Sequence, residues 1–140
     1  MTDLRPPVFA CAIDRASRLA YLRMWGTVTG SEMLEAARSV HGDPAWQPGF
    51  DAVWDCSAVR SHDVVPADIE PLVREEAASG DGRDVLVCSP STSDRAISEM
   101  LAAFCRRRGK KMTVHTSLAE ALGALGHDAL PEPLGAALAA

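Results

Sequence analysis

Short apolar runs alternate with helical stripes along this chain. Residues 8–13 (Val-Phe-Ala-Cys-Ala-Ile) form a near-continuous apolar run of strand length. After a polar turn at 14–18, residues 19–25 predict a second strand. Its Tyr21, Arg23 and Trp25 share one face, and Ala20, Leu22 and Met24 share the other. So short a turn makes the pair an antiparallel hairpin. Thr29 and Glu32 then have the spacing of a capping box. Met33, Leu34, Ala36, Ala37 and Val40 mark the buried stripe of the helix it opens, and Gly42-Asp43-Pro44 stops that helix. A turn-rich link carries Trp46, an aromatic expected to be partly exposed. It leads into a central strand over 50–56 that buries Trp54 and ends in Asp55-Cys56-Ser57.

A polar loop is predicted to follow that strand, up to Val65. Pro66 suits a first helical turn because its missing N–H would have no helical partner there. Ile69, Leu72, Val73 and Ala77 mark the apolar face of this helix, and Ser79-Gly80-Asp81-Gly82 breaks it. Residues 84–88 form a short apolar strand of the parallel type. Ser91 or Ser93 is placed to cap the next helix, with Ala96, Ile97, Met100, Leu101 and Phe104 as its buried stripe and Gly109 as its stop. A last strand at 112–115 precedes a second capping box, Ser117 and Glu120. The helix it opens is apolar at Leu118, Ala121, Leu122 and Leu125.

The order β-β-α-β-α-β-α-β-α predicts an α/β fold. The sheet has five strands, mostly parallel, with an antiparallel first strand and right-handed crossovers. Residues 1–128 are read as a single domain and 129–140 as a Pro/Ala/Leu-rich tail. The tail is either disordered or docks Leu134 and Leu138 in an apolar groove, of its own chain or of a second copy in a homodimer.

Composition narrows the functional classes. The 140 residues are 47% hydrophobic and 24% charged, with a net charge of −5. This is the balance of a soluble globular domain, with no signature of a nucleic-acid partner. No apolar run reaches the roughly 18 residues of a membrane span. The first seven residues lack a signal-peptide pattern, so the expected location is the cytoplasm. Cys11, Cys56, Cys88 and Cys105 form no C-x-x-C pair, and His41, His62, His115 and His127 are scattered. Neither a metal nor a cofactor is therefore expected.

A set of motifs carries a resemblance over about residues 8–126. They are Trp25-Gly26-Thr27-Val28-Thr29-Gly30-Ser31-Glu32-Met33, then Asp43-Pro44, Pro48-Gly49-Phe50-Asp51, Asp55 and Pro66-Ala67-Asp68-Ile69. The chain resembles small bacterial SpoIIAA-like proteins. These are stand-alone domains of the STAS-like class, whose fold is related to that of the CRAL-TRIO lipid carriers. The resemblance implies the same β-first sheet and a non-enzymatic role through a protein partner or a small, lipid-like ligand. It also exposes two departures. Val65 stands where relatives often carry a serine before Pro-Ala-Asp, and valine can neither accept phosphate nor cap a helix. Asp94-Arg95-Ala96 replaces an apolar pair and a glycine.

In open α/β sheets, ligands bind beyond the carboxyl ends of the parallel strands. The expected rim comprises Trp25, Asp55, Ser57, Ser61, Val65, Ser89, Ser91, Arg95 and His115. The leading expectation is a regulatory or binding module that engages a protein partner or a small apolar ligand. One alternative is a carrier of lipids or hydrophobic metabolites, with a pocket between the sheet and the helices after Pro66 and Ser91. Such a pocket needs roughly 300 Å³ or more. A distant alternative is a hydrolase using Ser89, His115 and Asp55, although no G-x-S-x-G elbow is present. Arg106-Arg107-Arg108 with Lys110-Lys111 is the one basic cluster, read as a solvated helix end.

Overall fold

The computed structural model describes residues 6–139, and side chains from 6 to 136. Residues 1–5 and 140 lie outside it, as does the side chain of Leu138. The strands are β1 (Phe9–Asp14), β2 (Leu19–Thr29), β3 (Asp51–Asp63), β4 (Arg83–Val87) and β5 (Lys111–His115). The helices are α1 (Gly30–His41), α2 (Pro66–Ala77), α3 (Thr92–Arg107), α4 (Leu118–Ala124) and α5 (Glu132–Ala139). The sheet runs β1-β2-β3-β4-β5, with β1 antiparallel to β2 and the other pairs parallel. This is the predicted α/β sheet.

The strand order explains the layering. Each crossover steps to the next strand in the same direction, so right-handed connections place α1, α2 and α3 on one face. That face buries Ala20, Leu22, Met24, Trp54 and Leu86 against Ala36, Val40, Val73, Ala102 and Cys105. The opposite face presents Leu19, Tyr21, Val53, Val85 and Val87, which no crossover helix covers. α4 covers it with Ala121, Leu122 and Leu125, and the tail helix α5 adds Leu134, which is 1% exposed. Of the alternatives for the tail, Leu134 therefore docks on its own chain.

Local signals account for several element ends. Thr29 Oγ1 accepts from the Glu32 N–H, and the Glu32 carboxylate accepts from the Thr29 N–H, which completes the expected box. Ser117 accepts from the Glu120 N–H, but the Glu120 carboxylate turns to His115, so that box is half formed. Ser91 occupies the position before α3, yet its hydroxyl meets Ser93 and not the helix backbone.

Two expectations need correction. The stretch after Ser57 is strand, not loop: Trp25, Gly26, Thr27, Val28 and Thr29 pair with Ala58, Val59, Ser61, His62 and Asp63. Register shifts beside Trp25 and Gly26 permit this, with Gly26 at φ +74°. β2 and β3 thus project beyond the ends of β4 and β5. The second correction concerns α3. It buries Asp94, Ser98, Leu101, Ala102 and Cys105, and leaves Ala96, Met100 and Phe104 exposed. The helix is turned so that Asp94 finds partners inside, while Met100 and Phe104 face out and Leu101 stays in the core.

Candidate functional site

At the end of β3, Asp55 is 4% exposed. It accepts a short hydrogen bond from the Tyr21 hydroxyl and bonds from the Ser57 hydroxyl and N–H, at 2.6 and 3.0 Å. Burial, then the Asp55 hydrogen bond and charge, raise the Tyr21 hydroxyl, so it stays a donor. The adjacent Cys56 thiol is pushed up to about 12 by burial and then by the charges of Asp55 and Asp94, which makes it a poor nucleophile.

A second buried carboxylate, Asp94, opens α3. It accepts a short hydrogen bond from the Ser89 hydroxyl, and its Oδ1 lies 2.7 Å from His62 Nδ1, which donates to it. Burial works to raise Asp94, but the hydrogen bonds from Ser89 and His62 outweigh it and hold the carboxyl below its ordinary value. The His62 and Asp94 side chains are each 1% exposed. This connection ties the β3 projection to the start of α3.

The other expected rim residues do not join these groups. His115 pairs with Thr113 and, at 3.1 Å, with Glu120. Ser61 donates across the projection to Thr27, Trp25 is partly buried, and Arg95 is exposed. The hydrolase alternative is overturned by where the hydrogen bonds go. Ser89 is spent on Asp94, His115 on Glu120, and Asp55 on Tyr21 and Ser57. A triad needs its histidine between the hydroxyl and the acid.

Beside the rim lies an apolar face. Among the described residues, Val65, Met100 and Phe104 are the exposed large hydrophobic residues, at 51%, 38% and 38%. Val65 leads into Pro66, which with Ile69, Val73, Phe104 and Arg107 lines an open groove of about 320 Å³ between α2 and α3. The Arg107 guanidinium lies over the Phe104 ring at 5.6 Å. Arg108 grips Glu70 at 2.7 and 2.9 Å across the groove and holds that carboxyl below its usual range. The basic cluster is therefore divided, since Lys110 points inward and not to solvent.

Lys110 belongs to a third polar group, at the amino end of β4. Its Nζ lies 2.8 Å from Asp84 Oδ2 and donates to the Ser79 hydroxyl and the Gly80 carbonyl, while Trp54 Nε1 donates to Asp84 Oδ1 at 2.9 Å. Burial raises the Asp84 carboxyl, and Lys110 opposes this without cancelling it. Glu76 of α2, 8% exposed, lines an interior cavity of about 70 Å³ between the sheet and α1, α2 and α3. That volume is well below what the carrier alternative requires. Among the described residues no cluster of His, Cys, Asp and Glu is arranged to hold a metal ion.

The sequence pattern did not mark His62, Glu76, Asp84 and Lys110 as interior groups, and Asp94 stood out only in the segment Asp94-Arg95-Ala96 that departs from the resemblance. A signal was present: Asp94, Ser98, Leu101, Ala102 and Cys105 recur at helical spacing, but two of them are polar and hydrophobicity alone passes over them.

No family model matches this chain, and no curated protein matches it. Among solved structures, an uncharacterised DUF3478-family protein with a SpoIIAA-like fold from Shewanella loihica PV-4 superposes with a TM-score of 0.58 at 11% identity. The match covers 89% of this chain and 99% of that one. The unphosphorylated anti-sigma factor antagonist SpoIIAA aligns at a TM-score of 0.49 and 17% identity, over 84% and 97% of the two chains. The fold is SpoIIAA-like. No helix among the described residues is long and apolar enough to cross a membrane.

Proposed function

We propose that this chain is a regulatory protein-interaction module of the STAS type whose partner docks on the α2–α3 face. The observation that carries the reading is the exposure of Phe104 in the α2–α3 groove, with Met100 exposed one turn earlier on α3 and Val65 exposed just before Pro66 of the lining. Interfaces place apolar and aromatic anchors inside a polar rim. Arg107 supplies a positive charge at the groove, while Arg108 is already paired with Glu70, so the complementary partner presents an apolar anchor with a carboxylate beside it.

The fold's likeness to a regulatory class supports the same reading by analogy only. A phosphate switch at the start of α2 has no acceptor in Val65. A phosphate on Ser57 would meet the Asp55 carboxylate 2.6 Å from the hydroxyl oxygen, a repulsive placement. Regulation by partner occupancy is therefore the simpler scheme.

The test is capture of a partner on immobilised wild-type chain, followed by reconstitution from the two purified proteins. Phe104→Asp and Met100→Asp should each weaken the reconstituted complex by at least tenfold. Equal affinity for both variants and the wild type would remove this face from consideration.

A further inference from the structure

We propose that the cavity between the sheet and helices α1, α2 and α3 is a binding site for a small neutral molecule with an apolar body and one hydroxyl head, held by the Glu76 carboxyl. The site is separate from the α2–α3 groove and does not depend on the partner reading.

The cavity holds about 70 Å³. One water needs about 10–15 Å³, so this is space for several small atoms and not a packing fault. Its lining is almost wholly apolar, including Leu22, Met24, Trp54, Leu101 and Met112, and among the described residues Glu76 is the only carboxyl in it. Glu76 Oε2 is buried and has no hydrogen-bond partner among the described residues. A buried polar atom without a partner has lost its bond to water, so a group that bonds to it gains more than it would from a satisfied one.

Water fits this site poorly, since a buried water needs two to four polar partners and the lining offers one carboxyl. A purely apolar ligand would leave Oε2 unpaired. A cationic head would require an ionised Glu76 beside the buried Asp84 charge, which burial opposes. A hydroxyl matches a protonated carboxyl as both donor and acceptor. A cavity of about 150 Å³ takes benzene, so a ring enters this one only as the flexible side chains of Met24, Met33 and Met112 in its walls repack.

The experiment is titration of the full chain with phenol, benzene and cyclohexylamine, followed by amide chemical shifts of cavity residues. Phenol is expected to give saturable shifts at Ala36, Leu101 and Met112, and to bind about tenfold tighter than benzene, the worth of one hydrogen bond. Glu76→Gln should retain most of that preference and Glu76→Leu should abolish it. If Glu76→Leu does not fold, Ala36→Val, which narrows the cavity, must weaken phenol and benzene together. Phe104→Asp should leave phenol binding unchanged. The proposal is overturned if no ligand saturates these shifts, if phenol and benzene bind equally to the wild type, or if cyclohexylamine binds tightest.

Discussion

At the amino end of β4, Asp84 sits against Lys110 with Glu76 nearby; past the carboxyl end of the same strand, Asp94 is held by Ser89 and His62. Both places bury carboxyl groups, but the balance of forces differs. At the amino end burial wins, and Glu76 and Asp84 are raised from their ordinary values. At the carboxyl end hydrogen bonds win, and Asp94 is lowered. Burial alone does not set the protonation of a carboxyl; the donors aimed at it do. The carboxyl end holds a fixed negative charge that ties the β3 projection to α3. At the amino end burial raises the Glu76 carboxyl and disfavours its charge beside an empty volume, which suits it to receive a neutral group.

Removing the cation at the amino end is the most severe way to break this contrast. Lys110→Met would leave Asp84 buried without its partner, and urea unfolding at neutral pH is expected to show a loss of about 3–5 kcal/mol. The loss should shrink in acid as Asp84 takes up a proton. A loss below 1 kcal/mol at neutral pH would mean that the pair is not buried as described.

The matching change at the other end is smaller. Asp94→Asn keeps the shape but replaces the charged acceptor of the Ser89 and His62 hydrogen bonds, for about 1.5–3 kcal/mol. Loss of His62 ring ordering by NMR should accompany it, because that ring takes its direction from the carboxylate.

The two ends also have opposite pH signatures. Asp94 has a folded pKa below its ordinary 3.8, so its stabilisation is present above that value and lost as pH falls through the folded one. Glu76 has a folded pKa above its ordinary 4.5, so its contribution is present below 4.5 and lost as pH rises toward the folded value. Glu76→Gln should therefore flatten the decline of stability above pH 4.5 while leaving the acid limb intact. Asp94→Asn should do the reverse. Unfolding free energies across pH 3–8 would separate them, and identical profiles for the two variants would refute the assignment.

The smallest effect on stability is expected at the exposed face. Phe104→Ser should change unfolding free energy by no more than about 0.5 kcal/mol, as for most surface substitutions, while abolishing partner binding. A large stability loss there would show that Phe104 is a packing residue and would undercut the docking face.

Much of the fold was legible in the chain. Short apolar runs of strand length located all five strands, Thr29 and Glu32 marked the start of α1, and Pro66 marked the start of α2. These signals are local, made by residues within one or two turns of each other. The candidate site was less legible. Asp55 and Ser57 were expected on the rim and are hydrogen-bonded to each other there, but His115 was placed with them and bonds elsewhere. Ser57 to Asp63 reads as a polar loop, since its ladder partners lie some 34 positions earlier, as Ser61 and Thr27 do.

The sequence by itself determined the order of elements from β1 to α4, the two faces of β2 and the absence of a serine at Val65. The tertiary structure decided which polar residues go inside. Asp94, Asp84 and Lys110 are hydrophilic by type, and their burial becomes tolerable only when partners from other elements arrive: His62 of β3 for Asp94, Trp54 of β3 and Lys110 for Asp84. That turn of α3 toward its polar partners is also what leaves Met100 and Phe104 facing outward, so the interior and the proposed docking face share one cause.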